Sequence, residues 1–135
     1  MTKEVWINLP VKSPAKSKEF FQKLGFGFNS QYSEYAMTVG SKNVVFMLFE
    51  SAEFAGVVQN KVTDTSQSSE VLFSFDGESE KEVDEVAEKV RKAGGKIFSE
   101  PAAVQGWMYG FAFQDLDGHR WNMLYMDMSK LPKSK

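Results

Sequence analysis

The sequence predicts an α+β fold made of two βαβββ units, and three observations carry that prediction. Strand-like stretches with period-two alternation recur in the same order in each half of the chain. Each half holds one amphipathic, capped helix between its first and second strands. The two halves are of similar length, about 60 residues each, which marks an internal repeat. The expected organisation is a single domain with a first repeat over 4–50, a connector over 51–68, a second repeat over 69–127 and a tail over 128–135.

In the first repeat, EVWINLPV (4–11) alternates and is rich in β-formers, so it reads as a strand. Ser13-Pro14 then supplies an N-cap followed by proline at the first helical position. In AKSKEFFQKLG the residues Ser17, Phe20, Phe21 and Leu24 fall on one helical face, and Gly25 ends the helix. FGFNS, EYAMTVG and NVVFMLFE are three short strand-like pieces, divided by Gly40 and a Ser-Lys-Asn turn. The connector SAEFAGVVQNKVTDTSQS is polar with apolar points at Phe54, Val57 and Val58, and reads as a short helical turn on a long link. Links of this length commonly cover a site, so it is either a lid or an ordinary surface excursion.

In the second repeat, SEVLFSFD (69–76) reads as a strand. Ser79-Glu80-Lys81-Glu82 has the form of a capping box, in which serine and glutamate each accept from a free backbone donor. Val83, Val86, Ala87 and Val90 form the apolar stripe, and Ala93-Gly94-Gly95 stops the helix. KIFSE, MYGFAFQD and HRWNMLYM supply three further strands. Alternation divides each strand into two lists. Val5, Ile7, Leu9 and Val11 oppose Trp6, Asn8 and Pro10; Val71, Phe73 and Phe75 oppose Glu70, Leu72 and Ser74; His119, Trp121, Met123 and Tyr125 oppose Arg120, Asn122 and Leu124. The apolar lists suit packing beneath a helix, and the mixed lists suit a ligand-facing wall.

Composition narrows the function. The chain of 135 residues carries a formal charge of -2 with no concentrated basic stripe, which argues against nucleic acid as a partner. It has no cysteine and one histidine, His119, so thiolate sites, Cys nucleophiles and multi-His metal sites within one chain fall away. No segment reads as a signal peptide or a membrane span, so the expectation is a cytoplasmic protein with no membrane partner. Phosphate loops and Ser-His-Asp sets are lacking. His119, beside Asp117-Gly118, reads as a hairpin-turn residue. Trp107, Tyr109 and Phe111 surround Gly106 and Gly110, and read equally as a stacking wall for a planar ligand or as core beside a bulge.

NLPVKSPAKSKEFFQKLGF (8–26), AGGKIFSEP (93–101) and GFAFQDLDGHRWNML (110–124), in this order and spacing, resemble the glyoxalase/bleomycin-resistance/dioxygenase family, also called the vicinal oxygen chelate superfamily. The resemblance covers nearly the whole chain. It implies two curved mixed sheets around a shared cavity, and a second copy of the chain as partner, since members are commonly homodimers. Metal-dependent members hold one divalent ion with His, Glu or Gln from the first and fourth strands of each unit. Carried onto this sequence, those positions are Trp6, Met47, Glu70 and Asn122, of which Glu70 alone is a competent ligand. The expectation is therefore a metal-free, cofactor-free member that binds a small, mostly apolar or aromatic molecule. Its ligand-binding residues would be Trp6, Asn8, Met47, Leu72, Trp107, Tyr109, Arg120 and Asn122. The alternative is a lyase or isomerase of the lactoylglutathione lyase type with Glu70 as the catalytic base, with or without a divalent metal. A third reading, sequestration of a cationic antibiotic as in bleomycin-binding members, asks for a large acidic groove that a charge of -2 supports weakly. Asn122 itself has three readings: a structural amide, a direct ligand contact or a weak metal ligand.

Overall fold

A computed structural model describes residues 1–28, 31–42 and 44–131. The chain divides into two compact units, one ending at Ser68 and the other starting at Ser69. Each holds a four-stranded mixed sheet, and the two sheets have the same strand order, so the architecture is the expected duplicated βαβββ fold.

The first unit contains β1 (Trp6–Val11), α1 (Pro14–Leu24), β2 (Gly27–Phe28), β3 (Ala36–Val39), β4 (Val44–Glu50) and α2 (Ser51–Val58). Its sheet runs β1-β4-β3-β2, with β1 and β4 parallel and the other pairs antiparallel. α1 begins where the sequence indicates: the Ser13 side chain accepts from the Lys16 amide at 3.2 Å, and Pro14 takes a position whose amide has no helical partner anyway. It ends at Gly25, whose φ of 104° is a left-handed conformation that only glycine adopts cheaply. Ser17, Phe20, Phe21 and Leu24 are buried beneath it together with Leu9, Val11, Phe46 and Leu48. Of the FGFNS stretch, Gly27 and Phe28 form a strand, while Asn29 and Ser30 lie outside the described residues, as does Asn43 of the expected turn. The helical turn expected in the connector is α2, where the Glu50 carboxylate caps the amides of Ala52 and Glu53 and Phe54 meets Phe49 edge-on at 6.1 Å.

The second unit contains β5 (Leu72–Gly77), α3 (Glu80–Ala93), β6 (Lys96–Val104), β7 (Met108–Gln114) and β8 (Arg120–Met126), in the order β5-β8-β7-β6. Val83, Val86, Ala87 and Val90 of α3 are buried, as are Phe111, Phe113, Trp121 and Met123 of the sheet. The capping box forms with one difference: Ser79 accepts from the Glu82 amide at 3.0 Å, but Glu82 reaches back to the amide of Glu78, one residue further than expected. β1 starts at Trp6, two residues later than the sequence reading, and in the second unit β5 and β6 differ most from it. β5 starts at Leu72 and not at Ser69, so Glu70 precedes it. β6 continues past Glu100 through Pro101 to Val104, because it is an edge strand whose pairing shifts between Ile97 and Ser99 and again between Ser99 and Ala102; a proline without an amide is tolerated on such an edge. One turn of 3-10 helix, Met128–Lys130, opens the expected tail, and residues 132–135 lie outside the described residues.

The DLDGHRW turn is organised by a buried carboxylate. Asp115 accepts from the amides of Asp117 at 2.9 Å and His119 at 3.0 Å, and from the indole Nε1 of Trp121 at 3.1 Å. Burial pushes its pKa above the usual carboxylate value, against the opposing influence of His119 and the Trp121 hydrogen bond. His119 is thus a turn residue, its backbone amide and carbonyl both bonded to Asp115.

A candidate ligand-binding face on the second sheet

Each sheet has one face packed against its helix and one face turned the other way. On the second sheet, Phe73, Phe75, Trp121 and Phe113 pack together on the α3 side, with ring centroids 4.9–6.4 Å apart. The opposite face carries, row by row across paired strands, Leu72 beside Arg120 and Gln114, Ser74 beside Asn122 and Ala112, and Asp76 beside Leu124 and Gly110. Gly110 is required there: a Cβ would collide with the Met123 carbonyl oxygen and with Leu124 Cδ2.

Asn122 is the central residue of this face. Its neighbours across the strands, Ser74 and Ala112, are small. Among the described residues its Oδ1 is buried and accepts no hydrogen bond. Leaving such an oxygen unsatisfied costs about 1–3 kcal/mol, and no neighbour among the described residues offsets that cost. Arg120, two residues earlier on the same face, stacks its guanidinium 4.3 Å from the Phe98 ring centroid. Phe98 is 42% exposed and reaches this face from the irregular part of β6. Leu72, beside Arg120, is 52% exposed.

The remaining expected site residues fall elsewhere. Glu70 is exposed and lies two residues ahead of β5, so it is not in the row that holds Asn122; Ser74 is. Tyr109 lies on the α3 side, its hydroxyl donating to Asp84 of that helix at 2.7 Å, which pushes the phenol pKa up. Trp107 sits in the β6–β7 turn, where its carbonyl accepts from the Asp127 amide at 2.8 Å, and Phe111 is a buried core residue. Trp6, Asn8 and Met47 share the non-helix face of the first sheet, in neighbouring rows with Asn8 directly beside Met47. Trp6 is 52% exposed; its indole and the Tyr32 hydroxyl both donate to Glu4, at 3.0 and 2.6 Å, and the two rings lie 5.2 Å apart. Phe98 and Ser74, which flank Arg120 and Asn122 on this face, are not singled out as site residues by the sequence. Ser74 is visible in the alternation of β5, whereas placing Phe98 requires the irregular register of β6.

The strand register aligns the two units position by position: Trp6–Val45 and Asn8–Met47 in one correspond to Leu72–Arg120 and Ser74–Asn122 in the other. The positions that the resemblance assigns to metal ligands hold Trp6, Met47, Glu70 and Asn122, that is, an indole, a thioether, one carboxylate and an amide, and the carboxylate lies exposed ahead of β5. This donor set does not fit a hard divalent cation, which asks for imidazoles and carboxylates. Among the described residues no group of three or more His, Cys, Asp or Glu is placed to hold a metal ion, and no helix is long and apolar enough to cross a membrane.

Comparison with known proteins agrees with the fold. No curated protein matches the chain. Among solved structures, a hypothetical protein from S. aureus is 34% identical, with a TM-score of 0.81 over 93% of this chain and 95% of that one. A glyoxalase-related enzyme from Fulvimarina pelagi is 18% identical with a TM-score of 0.77, covering 93% of this chain and 88% of its own. The fosfomycin resistance protein FosX from Listeria monocytogenes is 20% identical with a TM-score of 0.66, covering 96% and 98%. These last two speak to the fold alone. Residues 5–123 match the family model described as Glyoxalase/Bleomycin resistance protein/Dioxygenase superfamily. With the duplicated βαβββ architecture and a match running from β1 to β8, the chain belongs to the glyoxalase/bleomycin resistance protein/dioxygenase superfamily.

Proposed function

We propose that this protein is a metal-free binding member of its superfamily, which takes a small organic molecule on the face formed by Leu72, Ser74, Phe98, Arg120 and Asn122. The single observation that supports the reading is the Asn122 Oδ1, buried and without a donor among the described residues. A fold does not leave such an oxygen unpaired without cost, and a ligand N–H or O–H would remove that cost on binding. The exposed Leu72 and Phe98 side chains offer apolar contact, and Arg120 and Ser74 supply polar groups that orient the molecule. The donor set at the family's metal positions favours binding without a cation. No observation gives Glu70, exposed and ahead of β5, a role as a base.

Ligand-observed NMR of a fragment library against the wild type and Asn122→Leu tests the reading. Fragments that bind the wild type and are lost in the variant are expected. A library whose hits bind both proteins equally, or which yields none, would overturn it. Dialysis against Zn²⁺, Ni²⁺, Mn²⁺ and Fe²⁺ followed by elemental analysis is expected to leave no stoichiometric ion; one tightly held ion per chain would defeat the metal-free part.

A further inference from the structure

The chain has two arginines, Arg91 and Arg120, and their surroundings differ. Arg91 is saturated with carboxylate: it bonds Glu88 at 3.1 Å and clasps both oxygens of Glu100, an arrangement that raises its own pKa and lowers that of Glu100. Arg120 has no hydrogen bond and no ion pair among the described residues; its one specific contact is the ring of Phe98. Stacking on an aromatic ring covers a face of the guanidinium and leaves its in-plane N–H edges available, the geometry that receives a planar carboxylate through two parallel hydrogen bonds. The side chains flanking it in its row are Leu72 and Gln114, neither of which carries charge. The acid on this face of β5 is Asp76, which lies four residues along the strand from Leu72, beside Leu124.

Arg120 and Asn122 point to the same side of β8, two residues and so roughly 7 Å apart along the strand. Among the described residues, one presents unpaired donors with a positive charge and the other an unpaired acceptor. We infer that the ligand of this face is a carboxylic acid with a hydrogen-bond donor at its other end: the carboxylate lies on the Arg120 edge and an N–H or O–H meets the Asn122 Oδ1. A single guanidinium matches the one negative charge and the planar shape of a carboxylate. This inference rests on the binding reading above and adds the chemical class to it.

The test uses para-aminobenzoate as the probe, with its methyl ester lacking the charge and benzoate lacking the donor, each titrated at millimolar concentrations into the isotope-labelled 135-residue chain. The acid is expected to shift the Arg120 Nε–Hε resonance and to bind at least about tenfold more tightly than the ester, the scale set by one charge-assisted hydrogen-bonded contact. Arg120→Met is expected to bring the acid down to the ester's affinity and leave the ester unchanged, while Arg120→Lys recovers only part of the difference. Asn122→Leu should reduce para-aminobenzoate to the level of benzoate. An unchanged spectrum outside this face shows that each variant folds. Equal affinity of acid and ester, with binding still lost in Asn122→Leu, would overturn the carboxylate assignment and leave the binding reading standing. Failure of all three probes to perturb this face would end both.

Discussion

The two units are the same scaffold carrying different surfaces. Each pairs its first and last strands in parallel over six residues, in the same sheet order, and each covers one sheet face with a helix capped by serine at one end and glycine at the other. On the helix side the two agree in chemistry: Ile7, Leu9, Val11, Phe46 and Leu48 in one, Phe73, Phe75, Trp121 and Met123 in the other. On the far side they part. The last strand of the first unit offers Val45, Met47 and Phe49, and the last strand of the second offers Arg120, Asn122 and Leu124 in the corresponding places. Burial beneath a helix admits only apolar residues of the right volume, so it holds both copies to one pattern. The opposite face is free of that demand, and there the last strands have diverged, apolar in the first unit and polar in the second, with one oxygen that has no partner among the described residues.

The largest expected effect breaks the shared side of this comparison. Trp121 is 1% exposed, packs on Phe73, Phe75 and Phe113, and bonds Asp115 through its indole. Trp121→Ala should cost about 3–5 kcal/mol in urea unfolding, from lost burial and the cavity left behind. A cost comparable to a surface substitution would mean that the helix side does not carry the fold.

Next comes the buried carboxylate, a feature of the second unit. Asp115→Asn leaves one acceptor oxygen for three donors and is expected to cost about 1–3 kcal/mol. Because burial raises the folded-state pKa of Asp115 above its ordinary 3.8, the native state holds this proton more tightly than the unfolded chain. Its contribution to stability is then complete below the ordinary value and is lost as pH rises through the folded one. The deficit of Asp115→Asn relative to wild type should accordingly shrink as pH rises across that window, read as unfolding midpoints at several pH values. A deficit that grows with pH would reverse the sign of the shift.

The smallest effects exchange the two surfaces at one aligned position. Asn122→Leu removes the oxygen that has no partner among the described residues and should stabilise the protein by about 1 kcal/mol, while Met47→Asn places an amide between Ala36 and Asn8, with Val45 and Phe49 along its own strand, and should destabilise it by about 1–2 kcal/mol. Destabilisation by Asn122→Leu would show that the amide is already satisfied, and that the difference between the two faces is not one of stored cost.

Much of this architecture is legible in the order of the residues. Ser13-Pro14, Gly25, Ser79 and Gly94 mark helix ends because capping is a local matter between residues a few positions apart. The alternation of β1 and β8 puts Trp6, Asn8, Arg120 and Asn122 on the side away from the helices for the same reason. Glu70 is less readable: alternation extends a strand backwards as far as the pattern allows, whereas pairing with Arg120 begins it at Leu72. Tyr109 sits among glycines and aromatics that read two ways, and the hydrogen bond to Asp84, 25 residues away, sets its side.

Helix ends, the repeated element order and the residues of a strand that travel together thus follow from the chain alone, since each depends on backbone geometry over a few residues. Three facts come only from the folded arrangement: Phe98 lies against Arg120, Ser74 and not Glu70 flanks Asn122, and the Asn122 oxygen has no donor among the described residues. They depend on strand register and on slips in an edge strand, where one residue of displacement exchanges one face of a sheet for the other.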